Sequence, residues 1–287
     1  MVIQKMMTSF ALLTLFMAMP LKTEGFSPFE GPTPVGVYIQ TNPWAKRIGL
    51  DNPRFVLYEN RMVIFLKQDS EGEMLYSTLL DRSAFDELRS RLELVANVSG
   101  LKGYYDMAPH ITDQPKSLFY FKIESGYVTS RVYGMRMPAN KVPSGAESFG
   151  LMQPRVPPAE LLNLHQFLEQ FDVPGASEWE PVYIEVLIWP YEYAPEASIH
   201  WPNDWPGLNS EMAFPYGDSY SIFLEREKLP ALQEFLATRK ERGAVEIENK
   251  KWAAWWRPVF PSEPIWRGAL TAKGQPQGNS KRDSDLQ

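Results

Sequence analysis

Cysteine is missing from all 287 residues. Its absence excludes a disulfide framework, a lipid anchor on cysteine, thiolate metal sites and a cysteine nucleophile. Histidine is scarce, and His110, His165 and His200 fall on unrelated stretches. Neither Gly-x-Ser-x-Gly nor Gly-x-x-x-x-Gly-Lys occurs, which removes the nucleophile elbow and the phosphate-binding loop. There is no His-x-x-His pair and no acidic-glycine loop. Zinc and calcium therefore have no motif, and no metal or other cofactor is expected. Positive charge is in deficit: 29 Lys and Arg against 35 Asp and Glu give −6 at pH 7. A phosphate backbone needs the opposite balance, so nucleic acid is not an expected partner.

Past the first twenty residues there is no long apolar run. Within them, Lys5 precedes an apolar stretch over residues 6–19, Pro20 breaks it, and Thr23-Glu24-Gly25 ends in a small residue. That is the order of a secretory signal. The stretch is shorter than the ~20 residues that span a bilayer, so no stable membrane span is expected after cleavage. Secretion without cysteine points to a bacterial periplasmic or extracellular protein. The remainder, in a chain with 44% hydrophobic and 22% charged residues, is globular and long enough to bury a core in one large or two modest domains.

Runs of β-branched and aromatic residues predict strands at 35–40, 55–58, 62–66 and 74–79. Phe85, Leu88, Leu92 and Val95 recur at helical spacing behind Asp81 or Ser83 as cap. A hairpin follows over 118–123 and 127–133, turning at Glu124-Ser125-Gly126. Residues 135–158 are rich in Pro, Gly, Ser and Ala and read as a linker. Leu161, Leu164, Leu168 and Phe171 line a second helix beginning at Pro157-Pro158, with His165 packed beside them. Next come an apolar strand from Tyr183, a strand over 219–224, a helix over 229–240 and a hairpin around Glu248-Asn249-Lys250. The organisation is thus a signal at 1–25, an α+β unit at 26–134, the linker, a second α+β unit at 159–266 and a disordered tail at 267–287.

Tyr76, Ser77, Leu80, Leu88 and Leu92 recur as Tyr220, Ser221, Leu224, Leu232 and Leu236 at a constant offset of 144. Two readings fit. Either a β-β-β-α-β-β unit, an antiparallel sheet with one packing helix, is duplicated, or leucine and aromatic spacing makes unrelated units look alike. The first half, through Phe55 to Phe65, Phe85 to Leu92, Thr112-Asp113-Gln114-Pro115 and Arg131-Val132-Tyr133-Gly134, resembles a class of bacterial exported domains of unknown function. It departs from their pattern at Asn60-Arg61, where they carry glycine. The resemblance implies the fold and an exported location, and no activity. Asp113 reads as a turn former.

Aromatic and titratable residues concentrate after the strand at Tyr183. Trp189, Tyr191, Glu192, Glu196, His200, Trp201, Asp204 and Trp205 are the candidate ligand-binding residues. The four-residue rhythm of the charged members would share one helix face, but Pro195, Pro202 and Pro206 forbid that helix. No catalytic residue can be assigned. The expected function is a non-catalytic binding or structural module of the cell envelope, its partner a glycan or an envelope protein. The alternative is a glycan-directed hydrolase, with Glu192 and Asp204 as acid pair and the aromatics as sugar platforms. Exposure of Trp189, Trp201 and Trp205 separates these readings from simple packing.

Overall fold

The computed structural model describes residues 26–44, 51–68, 72–135 and 155–271. The expected signal, all but the ends of the expected linker and residues 272–287 of the expected tail lie outside them. The protein is α+β, with two mixed sheets. Among the described residues no helix is long and apolar enough to cross a membrane.

The first sheet is built from β1 (Pro34–Gln40), β2 (Pro53–Tyr58), β3 (Met62–Gln68), β4 (Glu73–Leu79), β5 (Tyr104–Asp106), β6 (Lys116–Ile123), β7 (Gly126–Tyr133) and β8 (Ser177–Glu178). Their spatial order is β5-β7-β6-β1-β2-β3-β4-β8. Side-chain alternation along β1, β2 and β6 supplies two apolar faces. Tyr38, Phe55, Leu57, Phe119 and Phe121 face one way, towards α1 (Arg82–Ala96) and α2 (Ala159–Glu169). Val37, Ile39, Val56, Tyr58 and Tyr120 face the other. Asp81 caps α1, its carboxylate accepting from the Ala84 amide at 2.8 Å, and Phe85, Leu88, Leu92 and Val95 are its buried stripe. The helix lies so close to β1 that a Cβ on Gly36 would come within 2.6 Å of Leu92 Cδ1. In the β2–β3 turn, Arg61 and not Asn60 takes the left-handed region (φ 73°). Asn60 Oδ1 instead accepts from the Met62 amide at 3.1 Å. Asp113 is left-handed too (φ 59°), as suits a turn former.

The second sheet contains β9 (Tyr183–Pro190), β10 (Glu196–His200), β11 (Ala213–Tyr216), β12 (Ser219–Glu225), β13 (Gly243–Ile247) and β14 (Lys250–Pro258), in the order β10-β13-β14-β9-β12-β11. Glu248 and Asn249 both have positive φ, 51° and 63°, and make the tight β13–β14 turn. Helix α3 (Leu229–Ala237) covers one face through Leu232 and Phe235.

The residues related by the offset of 144 do not occupy equivalent strand positions, so the structure does not show a duplication. Tyr76 lies on β4, three strands from the central β1, whereas Tyr220 lies on β12, directly beside the central β9. The hairpin after each helix also docks differently. Strand β6, the first of its pair, lies against β1, while β14, the second of its pair, lies against β9.

The two halves also exchange their ends, so the layout departs from two sequential units. Helix α2 and β8, which follow the expected linker, join the first sheet. The leader before β1, residues 26–33, reaches the second sheet: Phe26 packs on Tyr183 and Phe223, and Phe29 on Phe223. A further helix, α4 (Glu263–Thr271), runs past residue 266 into what reads as tail. Trp266, Ala269 and Leu270 on α4 close the second face of the first sheet.

Between the sheets, α4 also carries charge. Glu263 receives Arg257 of β14 at 2.8 Å and is ion-paired with Arg267, while Arg257 also pairs with Glu185 of β9. Burial opposes ionisation of Glu263, but Arg257 and Arg267 outweigh it and hold its carboxyl below the usual range. Tyr58 donates to the Pro261 carbonyl at 3.2 Å, and the Ser262 amide donates to the Phe29 carbonyl at 2.7 Å. The leader, α4 and both sheets thus meet at one buried joint.

Candidate functional site

The aromatic stretch folds mostly inward. Trp201 and Trp205 are only 7% and 8% exposed and pack edge-on against each other at 5.0 Å and against Phe235 of α3. The Trp201 indole donates to the Pro206 carbonyl at 3.0 Å, which satisfies its polar tip. Ring faces used in this way are not open platforms for a ligand. Trp189 and Tyr191 are half-buried, at the end of β9 and just past it. Glu196 accepts from the Arg242 amide at 2.7 Å and so helps dock β10 beside β13. Asp204 is exposed and pairs with Lys228 at 3.3 Å, a contact of little energetic weight in water. Glu192 and His200 are exposed. No group of three or more His, Asp or Glu placed to hold a metal occurs among the described residues.

A cleft of about 600 Å³ lies elsewhere, between the two halves. One side is the end of the first sheet: Gln40, Thr41 and Asn42 leaving β1, Asp51 to Arg54 entering β2, Leu66 of β3, and Glu73 to Leu75 on β4. The other side comes from the second half of the chain, through Glu178, Trp179, Pro181, Leu229, Trp256 and Pro258. The volume falls in the range of small-molecule pockets, and the lining mixes polar and apolar surface in similar measure.

Its polar side is one of the places where hydrogen bonding is incomplete. Gln40 Nε2, Asp51 Oδ2 and Asn52 Oδ1 are buried and hydrogen-bonded to nothing among the described residues. Buried polar atoms are nearly always satisfied, by protein, solvent or ligand, and here three belong to residues that line one cleft. The other oxygen of Asp51 accepts from the Asn42 amide at 2.8 Å. Burial pushes the Asp51 carboxyl up, against the pull of that amide, its own amide and the nearby Arg267.

Arg54 reaches the cleft through a break in the strand register. Tyr38 is opposite Phe55 and Ile39 opposite Pro53, so Arg54 is the extra residue of a β-bulge on β2. Such bulges re-aim a side chain. The Arg54 guanidinium turns towards α2 and meets Glu169 at 3.1 Å and Glu73 at 3.1 Å. Tyr38 donates to Glu169 at 2.6 Å. Burial pushes the Tyr38 phenol well up, and the neighbouring Glu169 adds to that. His165 stacks edge-on against Tyr38 at 5.4 Å, as a packed helix residue.

These cleft residues span positions 40 to 258 and form no local motif. The signal for them was faint: Asn42-Pro43 and Asn52-Pro53 repeat an Asn-Pro pair at the end of β1 and the start of β2, and such pairs mark turns. No protein-family model, no curated protein and no solved structure matches the chain.

Proposed function

We propose that this is an exported, non-catalytic binding protein of the cell envelope that holds a small polar ligand in the cleft between its two sheets. The observation that carries the reading is the trio Gln40 Nε2, Asp51 Oδ2 and Asn52 Oδ1, buried on one cleft and without hydrogen-bond partners among the described residues. Unmet buried polar atoms are costly unless something pairs with them. Export rests on the order of Lys5, the apolar residues 6–19 and Pro20.

Binding is favoured over hydrolysis because Trp201 and Trp205, two of the four sugar platforms the hydrolase would use beside Trp189 and Tyr191, have their faces on Phe235 and on each other. In the cleft, Glu73 is committed to Arg54, which leaves it poorly placed as one of two free acids.

The test is thermal unfolding of the full chain with a panel of sugars, polyols, amino acids and amines, each at high millimolar concentration. A ligand at a hundred times its Kd adds about 2.7 kcal/mol to stability, a shift of several degrees. At least one class should raise the midpoint of the wild type and leave the Gln40→Leu/Asn52→Leu double variant unmoved. A panel with no effect on the wild type, or with the same effect on both proteins, contradicts the proposal.

A further inference from the structure

The charge and hydrogen-bonding pattern of the cleft narrows what it can hold, on the footing that the cleft is the binding site. Among the described residues its formally charged lining groups are Asp51, Arg54, Glu73 and Glu178. The one positive group among them, Arg54, is already shared between Glu73 and Glu169. Neither Asp51 nor Glu178 has an ion-pair partner among the described residues. Arg267 stands near Asp51, where it is paired with Glu263 and donates to the Asp51 main-chain carbonyl at 3.4 Å. The lining therefore disfavours an anion and favours a cation.

Asp51 sets the demand. An ionised carboxylate can only accept hydrogen bonds, one Asp51 oxygen is taken by the Asn42 amide, and the other is buried without a partner. A charged donor is the strongest group that can fill that position. Gln40 and Asn52 are amides, each able to present a donor or an acceptor. A hydroxyl, which both gives and accepts, suits either. Across the cleft, Trp179 and Trp256 are half-buried lining residues, and aromatic rings attract cations.

We infer that the cleft takes a small hydroxylated amine of amino-sugar type, its ammonium on Asp51 and its hydroxyls on Gln40 and Asn52. A neutral sugar would leave the Asp51 oxygen with a weaker partner. An anionic sugar would bring a second negative charge beside it.

Calorimetric titration of the full chain with glucosamine, glucose and glucuronate, at low ionic strength and neutral pH, tests the assignment. Glucosamine should bind at least tenfold more tightly than glucose, with glucuronate weakest. Asp51→Asn should bring glucosamine to the level of glucose while the thermal transition stays cooperative. Asp51→Glu, which keeps the charge, should retain a preference for the amine. Equal binding of glucosamine and glucose, or tightest binding of glucuronate, overturns the amine assignment and leaves the cleft as a polar binding site. No binding by any of the three overturns it as well, and the broader solute panel then decides separately whether the cleft binds anything. An amine preference that survives Asp51→Asn also overturns it.

Discussion

The stretch from Trp189 to Trp205 and the cleft lined by Gln40, Asp51 and Asn52 make opposite use of their residues. The first concentrates aromatics and charges in seventeen consecutive positions, and turns its two most buried indoles into core. The second takes its polar residues from positions 40 to 52, sets them against a wall from positions 178 to 258, and leaves three of their atoms buried and without partners among the described residues. Trp and Tyr supply large buried area with a polar tip that one carbonyl can satisfy, as Pro206 does for Trp201. Dense aromatics are thus a cheap way to stiffen a proline-rich loop. Incomplete hydrogen bonding is expensive, and so it is the better sign of a place where something binds.

The contrast can be broken at several points. The largest effect belongs to the aromatic side. Trp201→Ala should cost about 3–5 kcal/mol of stability, as for other large buried aromatics cut to alanine, measured by denaturant unfolding. A loss under 1 kcal/mol would mean that the ring is not core. The joint beneath the cleft comes next. The folded-state pKa of Glu263 is depressed, so its contribution to stability is present above the unfolded carboxylate value and is lost as pH falls through the folded one. Asp51 runs the other way. Its folded pKa is raised, so its ionisation costs stability once pH climbs through that value. Unfolding free energy followed from neutral pH into acid should therefore fall less steeply in Glu263→Gln than in wild type, and more steeply in Asp51→Asn. Equal slopes in all three proteins would remove the pH argument.

Smaller still is the effect of removing an unsatisfied polar group. Gln40→Leu and Asn52→Leu should each leave the ligand-free protein within about 1 kcal/mol of wild type, or slightly more stable, because no hydrogen bond to another described residue is lost. A loss of 2 kcal/mol or more would show that these amides are bonded after all. The least effect is expected at the exposed members of the aromatic stretch. Glu192→Ala and His200→Ala should stay within about 0.5 kcal/mol and leave solute binding unchanged.

Local patterns were legible where the partner was close in sequence. Phe85, Leu88, Leu92 and Val95 announce α1, and Asp81 its cap. The alternation in β2, β3 and β6 gives strands within a residue or two of their ends. Strand β10 was not legible. It is only Glu196–His200, lies between Pro195 and Pro202, and pairs in parallel with β13 more than forty residues later. Helix α4 was hidden too, because Pro264 and Gly268 interrupt it and its last five residues, 267–271, resemble a tail, although Trp266, Ala269 and Leu270 have helical spacing. The exchange of ends, and with it the cleft, depends on how Phe29, Pro261 and Trp266 pack across two sheets. Nothing in the periodicity of any single stretch encodes that.

The central claim is that the cleft binds the ligand and the aromatic stretch does not, and the nine tryptophans report on it directly. Indole N–H resonances of the labelled protein, assigned by single substitutions, can be followed during titration with glucosamine and separately with glucose. The account predicts that Trp179 and Trp256 shift in a saturable way while Trp201 and Trp205 stay in place. Saturable shifts at Trp201 and Trp205, with Trp179 and Trp256 unmoved, would contradict it.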